Sequence, residues 1–270
     1  EDNVIADWSA KAYNQVPDAV NEIHGDKIAK SYGFKGALVP GATVAAYLIH
    51  PFVEAYGMDY LQRGCAHVRL HSPVYDGETF EVEVEEQAPA SFSARLGQGK
   101  SALCASAEIH LDTDQVQPPT IRGDEQGDPK ADLMPATPEN MKWLKDHGCK
   151  AFVDYWHLEH RMSAYLKDRS QMSSFYTDLG YANAGFLIGM SNWVVSVNAH
   201  MNPWVLVEAK CQNFSSVSQG TKLLGEMAIV DLFEKKGHEF VDAEINLFDV
   251  DLGTCFSSIW LRAIYQMRGL

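Results

Sequence analysis

One short stretch near the amino terminus contains the residue types that could do chemistry. It runs from Asn21-Glu-Ile-His24-Gly-Asp26 to Pro40-Gly41, where a long apolar segment begins. A histidine can move a proton near neutral pH, and a helix that opens at Gly41 would present unpaired backbone N–H groups with a partial positive charge. Such a helix end can hold a developing oxyanion. The stretch therefore predicts proton transfer at His24 beside an oxyanion site at Gly41.

Each of these residues also has an ordinary structural explanation. His24 could fasten a loop to a sheet while Asn21 caps the next helix, and Gly41 could serve only a tight helix entry. Judged alone, His24 is better explained as a structural residue, whereas a glycine at position 41 can serve a tight helix entry and an oxyanion site at once. Asp18 is more typical of a solvated loop acid.

Other chemistries have weaker support. His157 and His160 would share one face of a helix, but no third ligand follows at zinc-like spacing, so we expect no metal. The chain has no Gly-x-Ser-x-Gly elbow, no P-loop and no GxGxxG after a strand, which argues against serine hydrolases, NTPases and dinucleotide enzymes.

The elements that must position these residues occur twice. An apolar helix is predicted from Gly41, where Pro51 should kink or end it, and a second from Gly185. Alternating or β-rich segments follow each helix and predict strands, at 66–70, 78–86, 92–96 and 101–112, then at 205–210, 222–233, 239–248 and 254–265.

The order of elements indicates a duplicated unit. Gly41 precedes Gly77 by 36 residues and Gly185 precedes Gly220 by 35, and a Pro-rich connector separates the halves. We predict an α+β chain with an N-terminal unit at 1–115, a linker at 116–140 and a C-terminal unit at 141–270. Each unit would wrap an antiparallel sheet around its helix, and pairing the units would cover an open sheet edge.

Composition limits the partners. Among 270 residues, 22 are Lys or Arg and 36 are Asp or Glu, so the net charge is −14. This charge argues against nucleic-acid and anionic-membrane partners. Five scattered cysteines without a CxxC pair are typical of free thiols in a reducing compartment, so a soluble cytoplasmic protein is expected.

The motif carries a resemblance to a known family. N-x-I-H-x-D-x-x-A over residues 21–29, then G-F-x-G-x-L-V-P-G over 33–41, resembles the hydratase motif of MaoC-like (R)-specific hydratases. The resemblance covers roughly residues 8–86, and the repeat fits the double hotdog members. It implies an acyl-CoA or acyl-carrier thioester as substrate, hydration or dehydration of the acyl group, and no cofactor. It also implies that Asn21, His24 and Asp26 belong to the site and that the Gly41 amide supports the thioester oxygen.

Two residues depart from the family pattern. Ala19 stands where the family has a catalytic Asp five residues before the His, so only Asp18, one residue further back, could replace it. Pro40 replaces the family's His before Gly41. Two alternatives therefore stay open, a hotdog thioesterase and a non-catalytic thioester-binding or assembly subunit. A homo-oligomer, such as a dimer of double hotdogs, also stays open.

Overall fold

The computed structural model describes residues 5–16, 22–99, 102–111, 116–167, 172–201 and 203–268. Its strands are β1 (Trp8–Lys11), β2 (Cys65–Leu70), β3 (Thr79–Ala88), β4 (Ser91–Gln98), β5 (Ala102–His110), β6 (Phe152–Tyr155), β7 (Val205–Asn213), β8 (Lys222–Lys235), β9 (His238–Asp249) and β10 (Cys255–Gln266). Its helices are α1 (Asp26–Ser31), α2 (Gly41–Tyr56), α3 (Met58–Arg63), α4 (Pro138–His147), α5 (Met162–Tyr165), α6 (Ser174–Thr177) and α7 (Ala184–Ser196).

All ten strands form one antiparallel sheet in the order β1-β3-β4-β5-β2-β7-β10-β9-β8-β6. The first five belong to the N-terminal half of the chain and the last five to the C-terminal half. The halves meet where β2 pairs with β7, with Cys65 opposite Gln212 and Arg69 opposite Glu208. The open edge of each half is thus covered by the other half, as expected from the sequence.

Helices α2 and α7 pack against each other and against the buried face of the sheet. Residues 42–49 of α2 are all buried, which explains why this segment is apolar on every side rather than along one stripe. A Cβ atom on Gly185 would lie 3.0 Å from the carbonyl oxygen of Ala42 and 3.3 Å from the Cβ of Ala46. The absence of a side chain at Gly185 therefore lets the helices approach closely.

The two halves repeat the same local contacts at a constant offset of 143 residues. The matched contacts are the bridges Leu38–Tyr75 and Tyr181–Ser218, and the backbone hydrogen bonds from Val39 N to Val74 O and from Ala182 N to Val217 O. With this offset the counterpart of Gly41 is Ala184, where α7 begins, and the counterpart of Gly77 is Gly220. The sequence-based match of Gly41 with Gly185 is therefore wrong by one residue.

Helix α2 continues through Pro51 to Tyr56, so of the two expected effects of this proline, a kink or an end, the end does not occur. Proline has no N–H, and its position deprives the carbonyl of Tyr47 of the usual donor four residues later. The indole Nε1 of Trp8 donates to that carbonyl at 3.2 Å. A side chain of β1 thus replaces the missing helical hydrogen bond.

The eight strands predicted from the sequence are confirmed with small shifts at their ends, whereas β1 and β6 were not predicted. Each of these two is only four residues long and pairs with a single neighbour, β3 or β8. His157 and His160 lie in a turn, so the expected helical face is wrong.

The segment between the halves is irregular but anchored. The buried carboxylate of Glu226 in β8 accepts the backbone N–H groups of Arg122, Gly123 and Asp124 at 2.8, 2.7 and 3.0 Å. Three such bonds satisfy a carboxylate that would otherwise be costly to bury. This segment is therefore fixed to the C-terminal half.

All five cysteines are free and buried, and burial raises the pKa of Cys149 to about 11 and those of Cys211 and Cys255 to about 12. None of these three is a thiolate nucleophile near neutral pH. Within the described ranges, no helix combines the length and apolarity that crossing a membrane requires.

Candidate functional site

His24 ends a short 3-10 turn, Glu22–His24, just before α1. Its ring Nδ1 lies 2.8 Å from the carbonyl oxygen of Leu38, and because a carbonyl can only accept, Nδ1 carries the proton. In the neutral ring this leaves Nε2 as the basic nitrogen. Burial lowers the pKa of His24, partly offset by the bond to Leu38, so the imidazole is held in the neutral form that can accept a proton.

The backbone of His24 is held by Asn14, a residue that the sequence did not reveal. The side-chain Nδ2 of Asn14 donates to the carbonyl of His24 at 2.9 Å, and the backbone N–H of Asn14 donates to Asp76 Oδ1 at 2.7 Å. Asn14 is buried. The residues around Asn14 form no motif that predicts this role, because the hydrogen bond joins the segment after β1 to a turn ten residues further along the chain.

Leu38 connects the histidine to the start of α2. It forms a β-bridge with Tyr75, and only Val39 and Pro40 separate it from Gly41. Three residues span at most about 10 Å, so the Leu38 carbonyl that holds the imidazole lies within about 10 Å of the first amides of the helix. The structure thus brings the anchor of His24 and the helix start at Gly41 into one neighbourhood.

The amino-terminal end of α2 lacks a side-chain cap. The N–H groups of Thr43 and Val44 donate to the carbonyl of Pro40, whereas Gly41 and Ala42 have no intrahelical acceptor. Pro40 itself has no side-chain acceptor to offer. These two amides carry the positive end of the helix dipole.

Gly41 lies beneath the junction of the two halves. A Cβ atom at this position would lie 2.5 Å from Leu70 Cδ1 in β2 and 3.1 Å from Leu206 Cβ in β7. A contact of 2.5 Å is far below van der Waals distance, so a larger residue would displace the end of the Leu70 side chain or move α2 away from the sheet. Glycine at position 41 therefore favours this close approach of α2 to β2 and β7, in addition to any role in chemistry.

The corresponding helix end in the C-terminal half is closed. Asn183 precedes α7 and its side-chain oxygen accepts the N–H of Gly185 at 2.7 Å. The residue that matches His24 at the offset of 143 is Lys167. At matching positions, the side chain of Asn183 therefore caps α7 where Pro40 leaves α2 without a side-chain cap, and Lys167 stands in place of His24.

Asp26 is exposed and pairs with Lys30, and its Oδ1 accepts the backbone N–H of Ala37 at 3.2 Å. These contacts lower the pKa of Asp26, the hydrogen bond from Lys30 being the largest cause. Asp26 therefore fastens α1 to the loop that leads to α2. Asp18, Ala19 and Asn21 lie outside the described residues.

A cleft lies at the start of α7 and is lined by residues of both halves. Tyr60 from α3, Tyr176 from α6 and Ile188 from α7 line it, together with residues of β7 and β10. Of the aromatic residues near α7, Tyr176 lines the cleft and is buried. Trp193 is 57% exposed and does not line the cleft.

The described residues contain no group of three or more His, Cys, Asp or Glu side chains arranged to hold a metal ion. A salt-bridge network connects the two halves on the face of the sheet that points away from the helices. In it, the carboxylate of Glu208 lies 2.6, 3.5 and 3.7 Å from His67, Arg69 and Arg262. This network stabilises the β2–β7 junction on the side away from the helices.

Comparison with known proteins agrees with this architecture. No known family profile matches the chain, and no curated protein matches its sequence. A Mycobacterium tuberculosis protein with a double hotdog fold superposes with a TM-score of 0.58 at 11% identity, over 98% of this chain and 96% of that one. The chain has the double hotdog fold.

Other solved structures of similar fold carry descriptions of different activities. A MaoC-like dehydratase superposes with a TM-score of 0.58 at 9% identity, over 98% of this chain and 99% of that one. A candidate thioesterase from Novosphingobium aromaticivorans gives 0.55 at 14% identity, over 98% and 97%. Identities this low establish the fold, while the reaction must be argued from the site itself.

Proposed function

We propose that this double hotdog protein hydrates or dehydrates an acyl thioester, with His24 as the proton-transferring group and the Gly41 amide as the oxyanion donor. One observation carries the proposal. The neutral imidazole of His24 is anchored to Leu38, three residues before the uncapped start of α2, whereas the matching helix in the other half is capped by Asn183. The relatives with dehydratase and thioesterase descriptions support a thioester as the substrate.

In the hydration direction, the thioester oxygen would accept a hydrogen bond from the amide of Gly41. A water oxygen then bonds to Cβ of the unsaturated acyl group while its proton passes to His24 Nε2. The negative charge that moves onto the thioester oxygen is stabilised by the helix start. The imidazolium of His24 then returns the proton to Cα, so water has been added across the double bond and the histidine is neutral again. Dehydration follows the same steps in reverse.

The partners follow from this chemistry. The substrate would be an acyl-CoA or an acyl-carrier thioester, with no cofactor in the reaction. The lysines near the site give little support for the phosphates of CoA, because Lys30 pairs with Asp26 and Lys35 pairs with Glu78. Asn21 and Asp26 remain predicted members of the site from the family resemblance, and Asp18 remains the one acid that could replace the family's Asp at Ala19.

The test compares two histidine variants on enoyl thioesters such as crotonyl-CoA, following loss of the conjugated thioester absorbance. His24→Gln should lower kcat by about 10²- to 10⁴-fold, which is the usual contribution of a general acid–base. His71→Gln is the matched control, since His71 directly follows β2, is exposed, and has its Nε2 2.8 Å from the hydroxyl of Ser106. Its kcat should equal that of the unaltered protein.

Other outcomes identify the alternatives. Release of free thiol without a hydrated product would establish the thioesterase instead. Saturable binding of the thioester without turnover, equal in the unaltered protein and His24→Gln, would establish the non-catalytic subunit. Either result overturns the hydratase proposal.

A further inference from the structure

The segment at residues 13–15, shortly after β1, is fastened at both ends by hydrogen bonds to distant parts of the chain. The N–H of Tyr13 donates to the hydroxyl of Tyr47 in α2 at 2.9 Å. The side-chain Oε1 of Gln15 accepts the backbone N–H of Lys167 at 3.2 Å. Lys167 belongs to the C-terminal half, so Gln15 ties this segment across the boundary between the halves.

Asn14, the middle residue of this segment, holds the histidine of the proposed reaction. Its side-chain Nδ2 donates to the carbonyl of His24 at 2.9 Å. Gln15 is joined to Asn14 by one peptide bond, and consecutive Cα atoms are only about 3.8 Å apart. A shift of Gln15 is therefore transmitted to Asn14, and from Asn14 to the backbone that carries the imidazole.

The burial of Gln15 indicates which of its side-chain atoms has a role. Gln15 is 5% exposed, and its Nε2 is enclosed without an acceptor in the part of the chain that the structure describes. An enclosed donor without an acceptor costs stability, and an apolar side chain of the same length would avoid that cost. Because a backbone N–H can only donate, the atom that faces Lys167 is the oxygen. The group that Gln15 supplies is therefore Oε1, and local costs of this kind are typical of functional sites.

The residue that supplies the N–H has a particular place in the repeat. Lys167 is the counterpart of His24 at the constant offset of 143 residues. Its side chain is exposed, and its contact with Gln15 is made by the backbone. Where the N-terminal half has the histidine, the C-terminal half thus has a backbone donor for the segment that anchors this histidine.

We propose that Gln15 is a positioning residue, which aligns His24 by fixing Asn14 to the backbone of residue 167 in the C-terminal half. This role rests on the proposed function of His24. It makes the C-terminal half part of the site although its side chains take no part in the proton transfer.

The test replaces Gln15 by methionine, whose side chain has a similar length and only a weak acceptor. The kcat for crotonyl-CoA should fall by about 10- to 100-fold, because a small misplacement of a reacting group costs up to about 10²-fold. KM should stay within about twofold, since the change affects proton transfer and not substrate binding. The urea midpoint should fall no further than in the control below, because the variant also removes the enclosed donor. A residue with only a structural role would lower the midpoint and leave kcat unchanged.

Two controls separate the Gln15 acceptor from other effects. Gln212→Met also removes a hydrogen bond between the halves, from Nε2 to the carbonyl of Arg63 at 3.2 Å. Gln212 pairs with the start of β2, whereas Gly41 lies beneath the other end of that strand. Lys167→Ala removes the lysine side chain but keeps the backbone N–H. In both controls, kcat should equal that of the unaltered protein.

A measurement on the histidine itself requires no turnover. The NMR resonances of the His24 imidazole can be assigned by their absence from His24→Gln. They should change in Gln15→Met and stay the same in both controls. In an Asn14→Ala background the Gln15→Met change should have no further effect on them, because Gln15 acts through Asn14.

The outcomes distinguish this role from the proposed function. If kcat and the His24 resonances are the same in Gln15→Met as in the unaltered protein, Gln15 has no positioning role, while the proposed function stands. If kcat falls in Lys167→Ala as far as in Gln15→Met, the effect belongs to the lysine side chain and the proposal is overturned. If the unaltered protein does not convert enoyl thioesters, the proposed function fails, and the His24 resonances still decide whether Gln15 positions this histidine.

Discussion

Replacing Trp8 by phenylalanine removes one N–H donor from the helix that carries Gly41. The indole of Trp8 donates to the carbonyl of Tyr47 at 3.2 Å, at the position where Pro51 cannot donate. Leaving a buried carbonyl without this partner costs about 1–3 kcal/mol. The smaller ring also loses contacts, because Trp8 lies 4.2 Å from the ring of His50 and 5.2 Å from that of Phe80 between centroids.

A double-mutant cycle separates these two effects. In a Pro51→Ala background, residue 51 has an N–H that donates to Tyr47 as in an ordinary helix. Trp8→Phe then loses only the ring contacts, and these are the same in both backgrounds. Its cost in free energy of unfolding should be smaller by about 1–2 kcal/mol than in the unaltered chain.

The assay is urea unfolding of the four proteins, followed by far-UV circular dichroism. The free energies can be compared only if the dependence of unfolding free energy on urea concentration is the same in all four proteins. If Trp8→Phe costs the same in both backgrounds, to within about 0.3 kcal/mol, the indole does not compensate for Pro51 and the reasoning is refuted.

Two further predictions concern the helix ends and pH. Asn183→Ala should lower the free energy of unfolding by about 1 kcal/mol, since it removes the acceptor of the Gly185 N–H, and kcat on an enoyl thioester should not change if the chemistry occurs at α2. Burial lowers the pKa of His24 and of His50, so the unfolded chain binds more protons than the folded one as pH falls below about 6.5. Stability measured by urea unfolding should therefore fall from pH 7 to pH 5, and His50→Leu should flatten this slope. An equal slope in His50→Leu would show that His50 does not contribute.

The sequence predicted the elements well where a local pattern is strong. Alternation in residues such as Phe80 and Val82 marked the half-buried strands, and the unbroken apolar run after Gly41 marked the central helix. Strands β1 and β6 were not predicted because an alternation of apolar and polar residues over only four positions cannot be distinguished from the flanking sequence. The position of the repeat was misjudged by one residue at α7 because glycine, which marks a helix entry at Gly41, serves helix contact at Gly185.

The candidate site was predicted only in part. His24 and Gly41 could be named from residue types and spacing, but Asn14 could not, since its hydrogen bond to the His24 carbonyl exists only once β1 has joined the sheet. The continuation of α2 through Pro51 was equally hidden, because the donor that permits it comes from Trp8.

By itself the sequence determined that the chain repeats a unit of one apolar helix and antiparallel strands, since hydrophobic period is a local property of consecutive residues. Only the tertiary structure decided which helix start is open. Pro40 and Asn183 stand at matching positions in the two halves. The side chain of Asn183 accepts a hydrogen bond from the Gly185 N–H, whereas the side chain of Pro40 has no acceptor. Likewise, only the packing of the two halves brings Tyr60 and Tyr176 into the lining of one cleft, because residues 116 positions apart meet through the fold and not through the chain.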